Sequence, residues 1–472
     1  MDLSCDIYSL STNGDMSQIP SVATTNTNPC PLITDKVMVT LHRGEETDPF
    51  GHKIQLALAV LWAFFLPFEM IPWAKDGALT LLVAWSIIRL LFGGILGTWR
   101  PLLSTPLAWT ILGLLAWVAL SVTWSSHPVF GLEELKGMRM LALPLVIFPV
   151  LRRLGVLLGA FLLGVAIINV LQIGQLVELP GFWTKVPGRA AAWCSPMPLG
   201  YVTAAALISH VAILTIRWRR RHAFLHVIGI PLAAVGLMLC QNRAGLVAAV
   251  ITVPVILILA AVMRPHLRQA CLFIMAALTF GLAVAWTIDD ALLDNAITRA
   301  AQVRWEQATQ ELTGDGSYAV DNPVRGRSIG NRVVSWRAMR DIITTHPWRG
   351  VGAGGIASQL GDYPGLLIPP GESQLPVDWP VEPFQPHSSW LWTFAATGIP
   401  GIALLIATVM LSLIGQVRRI ADDPAFLATF GMLFAWCISS VFDTLLISGA
   451  TVAALSLALC GGLIRKSCQD SP

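Results

Sequence analysis

The residues of this sequence best suited to chemistry are one histidine and a set of arginines beside apolar segments. His387 lies directly before a long apolar run and is followed by two serines and a tryptophan. Histidine titrates near neutral pH, so it can accept a proton from a hydroxyl group. Arg189 follows a Pro-Gly pair, and Arg243 lies between two apolar runs. Guanidinium groups bind phosphates through paired hydrogen bonds, so these arginines indicate an anionic ligand.

More arginines lie between Asp289 and Glu382, where the sequence has eight arginines and no lysine. Two simpler interpretations stay open. Arginine is the preferred cation of this chain, which has only six lysines in all, and His387 is an interfacial histidine without a chemical role. These eight arginines are Arg299, Arg304, Arg325, Arg327, Arg332, Arg337, Arg340 and Arg349.

The composition shows which kind of protein must position these residues. The chain has 472 residues, of which 55% are hydrophobic and 12% are charged, whereas soluble domains have about 25% charged residues. Its apolar residues form blocks of about 20, the length that crosses a bilayer. The chain is therefore predicted to be an all-α polytopic membrane protein. A soluble enzyme, a disordered chain, a disulfide scaffold and a nucleic-acid binder are excluded.

About twelve transmembrane helices are predicted from apolar runs bounded by proline, glycine and charge. The fourth run is short and contains Arg139 and Pro144. The predicted spans are 54–72, 77–97, 104–124, 137–151, 154–176, 198–216, 223–241, 244–263, 268–287, 388–415, 424–443 and 445–464.

The orientation follows from arginines that lie in alternate loops, because basic residues next to helix ends stay in the cytoplasm. Both termini are then cytoplasmic. The predicted organisation is a polar, disordered tail (1–50), helices one to nine (51–287), a large loop on the outer side (288–386), helices ten to twelve (387–465) and a short tail (466–472). Lysines of the short outer loops, Lys75 and Lys185, are predicted to anchor to lipid phosphates.

The large loop is expected to be folded and partly helical. The apolar spacing predicts helices over 291–312 and 332–345, and Pro347 ends the second. A glycine-rich run then follows between Gly350 and Gly355. No strand precedes it, so a nucleotide site is not predicted, and we expect the glycines to form a hinge that returns the chain to the bilayer.

Two stretches of this region resemble a known family. The first runs from Gly330 through Trp336 to Gly352 and includes His346-Pro347-Trp348-Arg349-Gly350, and the second joins His387-Ser388-Ser389-Trp390-Leu391 to Thr397-Gly398-Ile399-Pro400-Gly401. Together they resemble the signature of the O-antigen ligase and polymerase superfamily. The superfamily also includes protein O-oligosaccharyltransferases.

This resemblance implies a GT-C-like membrane glycosyltransferase in the inner membrane of a Gram-negative bacterium. Its donor would be an O-antigen glycan linked to undecaprenyl pyrophosphate, used on the periplasmic side without a metal or other cofactor. His387, Arg243 and Arg189 match the family's functional histidine and arginines. Typical members have Ser-Arg where this chain has Asn242-Arg243.

The resulting hypothesis is an O-antigen ligase that transfers the glycan to lipid A-core. His387 acts as the base or orients the acceptor, and Arg189 and Arg243 bind the pyrophosphate. Arg332, Arg337 and Arg340 are further candidates for binding lipid or core phosphates. The alternatives are an O-antigen polymerase, a protein O-oligosaccharyltransferase and a lipid-glycan transporter. No carboxylate lies near the middle of a predicted span, which argues against ion-coupled transport.

Overall fold

The computed structural model describes residues 36–69, 71–92, 96–176, 192, 194–279, 327–360, 386–420 and 423–463. Every regular element in these ranges is a helix, which confirms the predicted all-α class. The polar stretch 1–35 and the predicted loop helix 291–312 lie outside the described residues.

The α-helices are numbered here in chain order, and short 3-10 turns connect several of them. They are α1 (Lys36–Thr47), α2 (Pro49–Phe65), α3 (Pro72–Phe92), α4 (Leu96–Leu103), α5 (Pro106–Ser121), α6 (Pro128–Met138), α7 (Leu143–Val146), α8 (Leu154–Leu176), α9 (Pro196–Arg217), α10 (Ala223–Leu239), α11 (Arg243–Met263), α12 (268–279), α13 (Arg327–Thr345), α14 (Ser389–Val417), α15 (Pro424–Phe442) and α16 (Gly449–Leu463).

Six stretches within the described residues are helical, long and apolar enough to cross a bilayer. Counting α3 and α4, which meet at a bend of 110°, as one broken span raises the number to seven, and α2, α10 and α16 are shorter apolar helices. The chain is therefore a multi-pass membrane protein, while twelve crossings stay a prediction. The six stretches are Pro106–Trp124, Phe148–Gln175, Pro196–Arg217, Arg243–Met263, Ser389–Val417 and Pro424–Phe442.

Helices lie at all but one of the twelve predicted spans. The exception is the fourth, 137–151, where two 3-10 turns flank the four-residue helix α7. Pro144 and Pro149 each stand in the first two positions of a new short segment. Proline cannot donate a backbone hydrogen bond inside a helix, so it starts a new segment instead of continuing the old one. The predicted fourth span is corrected accordingly.

The expected disordered tail also needs correction at its end. Residues from Lys36 onward are helical, and Leu41 of α1 is fully buried. Glu45 on the same helix lies 2.9 Å from Arg152 and 3.0 Å from Arg153, so it joins α1 to the 3-10 turn before α8. These contacts hold α1 against the helical bundle.

Helix α9 is largely buried and contacts α10, α11 and α15. Gly200 permits this packing, because a Cβ atom there would lie 2.1 Å from the Cβ of Asn242. Helix α14 packs against α5 and α15, and every side chain of α16 from Ala450 to Leu463 is buried. The ends of α11, α14 and α15 are thereby brought together, and they carry the residues of the candidate site.

Candidate active site

A partly buried ion pair joins the end of α15 to α13. Asp443 directly follows α15 and is 4% exposed. Its Oδ1 atom lies 3.1 Å from Nη2 of Arg332, and the side chain of Asn242 donates a second hydrogen bond to the carboxylate. Burial raises the pKa of Asp443, and the Arg332 charge and the hydrogen bonds oppose that rise. This one carboxylate therefore contacts side chains from two distant segments of the chain.

His387 is fixed beside this pair by the two serines that follow it. Its backbone has the left-handed φ of 51°, which non-glycine residues seldom adopt. Ser388 caps α14 by accepting a hydrogen bond from the first turn, and it donates to the carbonyl oxygen of Ser440 at 3.2 Å. Ser389 donates to the carbonyl oxygen of Asp443 at 3.3 Å. The start of α14 is thus bonded directly to the end of α15.

The electrostatic environment keeps His387 neutral. Burial and the positive charge of Arg332 lower the pKa of His387 to about 4. Its imidazole is therefore uncharged at neutral pH. An uncharged imidazole has a free lone pair and can accept a proton, which the charged form cannot.

The turn before α11 connects Arg243 to the same region. Asn242 caps α11, since its Oδ1 accepts a hydrogen bond from the Gly245 amide at 2.7 Å. Its side-chain amide donates to the Met197 carbonyl at 3.2 Å and also to Asp443. Arg243 is the next residue, the first of α11, and is half-buried. Asparagine and serine are both good N-caps, so Asn242 preserves the cap that a serine would supply there.

The other predicted site arginines do not share this position. Arg337 and Arg340 lie on the exposed face of α13, and Arg340 forms an ion pair with the adjacent Asp341 at 3.0 Å. Arg189 lies outside the described residues. Of the arginines predicted on α13, the structure brings Arg332 to His387 and leaves the other two at the surface.

The glycine-rich run is a docked loop rather than the hinge that we expected. The amide of Val351 donates to the Ala395 carbonyl and the amide of Gly352 to the Ala396 carbonyl, each at 2.9 Å. Gly350 has a φ of 65°, and a Cβ atom there would lie 2.5 Å from the Ala395 oxygen. Glycine is required here because the loop backbone lies directly against α14.

A second buried carboxyl, Glu134 on α6, holds the far side of this loop. It is 5% exposed and accepts hydrogen bonds from the Gly354 amide at 2.7 Å and from the Trp392 indole at 3.1 Å. Burial raises the pKa of Glu134 to about 7, although both hydrogen bonds favour the charged form. Glu134 therefore connects α6, the glycine loop and α14.

Sequence reasoning missed both carboxyls as parts of a site. Asp443 is recognisable as an acid at the predicted outer end of an apolar helix, where a charge needs a partner. Glu134 stands next to Glu133 in a predicted loop, and nothing in the local sequence indicates which of the two is buried. Only the packing of α6 against α5 and the glycine loop decides it.

The fold and this site define a multi-pass membrane protein in which a half-buried histidine lies beside an Arg–Asp ion pair at the helix ends. A family model described as O-antigen ligase matches residues 228–406, which include Arg243, Arg332 and His387. This match confirms that residues 228–406 resemble the O-antigen ligase and polymerase superfamily. No curated protein matches the chain.

Proposed function

We propose that this protein is an O-antigen ligase that transfers a glycan from undecaprenyl pyrophosphate to lipid A-core on the periplasmic side of a Gram-negative inner membrane. The observation that supports this most is the Arg332–Asp443 pair at 3.1 Å, which lies beside His387 and is bonded to the turn that carries Arg243. The GT-C-like class and the twelve crossings are parts of the same proposal.

The reaction exchanges one bond at the anomeric carbon for another. The bond to the diphosphate oxygen breaks, a bond to an acceptor hydroxyl oxygen forms, and the hydroxyl proton passes to His387. A single displacement of this kind inverts the anomeric configuration. The diphosphate leaves with its electron pair, so positive charge near it stabilises the transition state.

Donor binding would adjust the basicity of His387. With a pKa of about 4 the free imidazole is neutral but weakly basic. An anion within a few Å raises the pKa of a neighbouring base by about 1 to 3 units. A bound diphosphate would therefore strengthen the base when the reaction needs it.

Guanidinium groups supply the positive charge in this proposal. Arg189 and Arg243 bind the diphosphate, and Arg332 holds Asp443 and faces His387. The Nε atom of Arg332 and the indole nitrogen of Trp336 are buried without hydrogen-bond partners among the described residues. Unpaired buried donors favour a bound acceptor group, and substrate oxygens would satisfy them. Arg337 and Arg340 remain candidates for contacting lipid or core phosphates at the surface.

The proposal includes metal independence, and chelation tests it. Full transfer activity is expected in EDTA, because arginines and not a divalent ion offset the diphosphate charge. Loss of activity that Mg²⁺ or Mn²⁺ restores would contradict this assignment.

The test of the function is covalent product formation with separate acceptors. Purified protein in lipid nanodiscs receives the lipid-linked glycan together with rough lipopolysaccharide, with no second acceptor, or with a pilin-like protein. An O-antigen ligase gives a higher-mass lipopolysaccharide only in the first arm. A longer lipid-linked glycan would indicate a polymerase, and a glycosylated protein would indicate an oligosaccharyltransferase. Glycan movement without any new covalent product would indicate a transporter.

A further inference from the structure

Lys75 in the first turn of α3 is a cation that the proposed reaction does not use. The residue is only 7% exposed, so it does not extend into lipid headgroups in the way that an anchoring lysine does. Its ammonium group has no ion-pair or hydrogen-bond partner among the described residues. The side chain is thus nine-tenths buried while its ammonium group faces open space, which an anionic partner could enter.

The acidic residues around Lys75 are engaged elsewhere. Glu69 accepts hydrogen bonds from the Ser195 amide at 3.0 Å and from the Cys194 thiol at 3.6 Å. Asp76 lies 3.8 Å from Nη2 of Arg139. Neither carboxylate forms an ion pair with Lys75, and the cation is left available for an anion from outside the protein.

The ammonium group points at the beginning of α16. A Cβ atom placed on Gly449, the first residue of that helix, would have Lys75 Nζ as its nearest neighbour, at 3.9 Å, with nothing else within 4 Å. There is thus open space between the cation and the helix end. The first backbone N–H groups of a helix have no partners within it, and they attract anions.

We propose that Lys75 and the N-terminus of α16 form a subsite for a phosphate group of a substrate, distinct from the arginine clamp. The subsite is continuous with the candidate active site, because the 3-10 turn Leu445–Ile447 connects Asp443 to α16 and the Leu446 amide donates to Ser389 at 3.1 Å. This inference rests on the proposed function. Two substrates carry the required group, the diphosphate of the donor and the phosphates of the lipid A-core acceptor.

Kinetics with Lys75→Gln tests the subsite and identifies the phosphate. Removing one charge-assisted contact should raise the KM of one substrate about tenfold to a hundredfold with little change in kcat. Gly449→Leu, which fills the space and keeps the lysine, should raise the same KM. Lys136→Gln is the matched control, because Lys136 is an exposed lysine of the predicted outer side. A higher donor KM indicates the diphosphate. A higher KM for phosphorylated core, but not for dephosphorylated core, indicates the acceptor, and unchanged KM values for both substrates would refute the subsite.

Chemical labelling tests the subsite without relying on transfer activity or on a variant that folds. The wild-type protein in phosphatidylcholine nanodiscs is acetylated with an amine reagent, and peptide mass spectrometry measures labelling at Lys75 and Lys136. Inorganic diphosphate should protect Lys75 and leave Lys136 unchanged. Equal labelling with and without diphosphate would overturn the subsite even if the protein is a ligase. Protection by phosphatidylglycerol in the nanodisc instead of diphosphate would reduce Lys75 to a lipid anchor. If diphosphate protects Lys75 but no acceptor is glycosylated, the subsite stands and the proposed function fails.

Discussion

Two buried carboxyl groups in the same helical bundle, Asp443 and Glu134, have different hydrogen-bond partners. The difference indicates which of them belongs to a reactive site and which one holds the fold together. Asp443 is bonded to a guanidinium group and an amide, next to a histidine whose pKa is lowered. Glu134 is bonded to a backbone amide and an indole, both of them neutral. A carboxylate with a cation can organise charge for catalysis, whereas one with neutral donors mainly holds segments together.

The residues that resemble the family signature fall into the same two regions, one around Asp443 and one around Glu134. Arg332 and His387 contribute to the charged region around Asp443. Gly350 and Gly398 belong to the region around Glu134, where the glycine loop meets the kink of α14. A Cβ atom on Gly398 would lie 2.3 Å from the Trp348 carbonyl oxygen, and its φ is 67°. One part of the signature thus supplies reactive side chains, and the other permits close backbone contact.

The largest expected effect belongs to the charged region. Arg243→Ala should lower the transfer rate by roughly two to three orders of magnitude, because losing a partner of the transition-state charge costs about 2.7 to 4 kcal/mol. His387→Ala should also slow transfer strongly, since the reaction loses its base. Both variants should insert into the membrane as the wild type does. Product formation is measured by mass shift and stability by thermal unfolding in detergent. Transfer at the wild-type rate by either variant would remove that residue from the site.

The second prediction concerns stability against pH, where the two regions act in opposite directions. Glu134 has a folded pKa of about 7 against 4.5 for the free side chain, so its contribution is present at low pH and is lost as the pH rises through 7. His387 has a folded pKa of about 4 against 6.5, so its contribution is present above 6.5 and is lost as the pH falls toward 4. The Glu134 contribution amounts to about 3 kcal/mol.

Single variants should expose these opposed contributions. Relative to the wild type, Glu134→Gln should lose stability as the pH falls from 7 to 4.5, because only the wild type has a carboxyl group that takes up a proton more readily in the folded state. Relative to the wild type, His387→Ala should instead lose stability as the pH rises from 4 to 6.5, because only the wild type then regains the contribution of the neutral buried imidazole. The difference between variant and wild-type unfolding midpoints across this range is the measurement. Difference curves that are flat for both variants would show that neither group titrates as its environment indicates.

The third prediction distinguishes the regions by the pH dependence of the rate. Arg332→Gln removes the charge that, with burial, lowers the pKa of His387, so that pKa should rise toward its usual 6.5. The acid limb of the pH profile of kcat/KM reports the pKa of a group in the free enzyme. This limb should move to higher pH by about one unit. Arg337→Gln, an exposed arginine on the same helix, is the control and should leave the limb in place. An acid limb unmoved by Arg332→Gln would mean that His387 is not the group that titrates.

Much of the fold could be predicted because membrane helices are encoded locally. Long apolar runs marked helices at nearly every predicted span. The prediction of a transmembrane helix at 137–151 was wrong because two prolines begin new short segments there. Hydropathy alone does not show this effect. The helical end of the polar tail was missed for the opposite reason: Leu41 and Glu45 gain their stability from contacts with other segments, which a local pattern does not contain.

The site could be predicted only where its residue types are chemically distinctive. Arg243 and His387 were recognisable because a histidine and an arginine beside apolar runs are costly without a role. The partner of Arg332 was not recognisable, since Asp443 lies 111 positions further along the chain. The three candidate arginines on α13, Arg332, Arg337 and Arg340, looked equivalent in sequence. They differ in their position around the helix axis, because Arg332 points toward α15 and the others lie on the outer face of α13.

The smallest expected effect tests directly which face of α13 points toward the site. Arg340→Ala should change the transfer rate by no more than about twofold and the free energy of unfolding by no more than about 1 kcal/mol, because exposed ion pairs contribute little. Its side chain is 71% exposed and its partner Asp341 is adjacent in sequence. Arg332→Ala, on the inner face of the same helix, should reduce the rate much more, since it leaves Asp443 buried without its cation. The transfer rate and the unfolding midpoint are measured for both variants side by side. Equal losses in the two variants would mean that α13 binds its ligand along the exposed face. The ion pair between Arg332 and Asp443 would then not be the feature that organises the site.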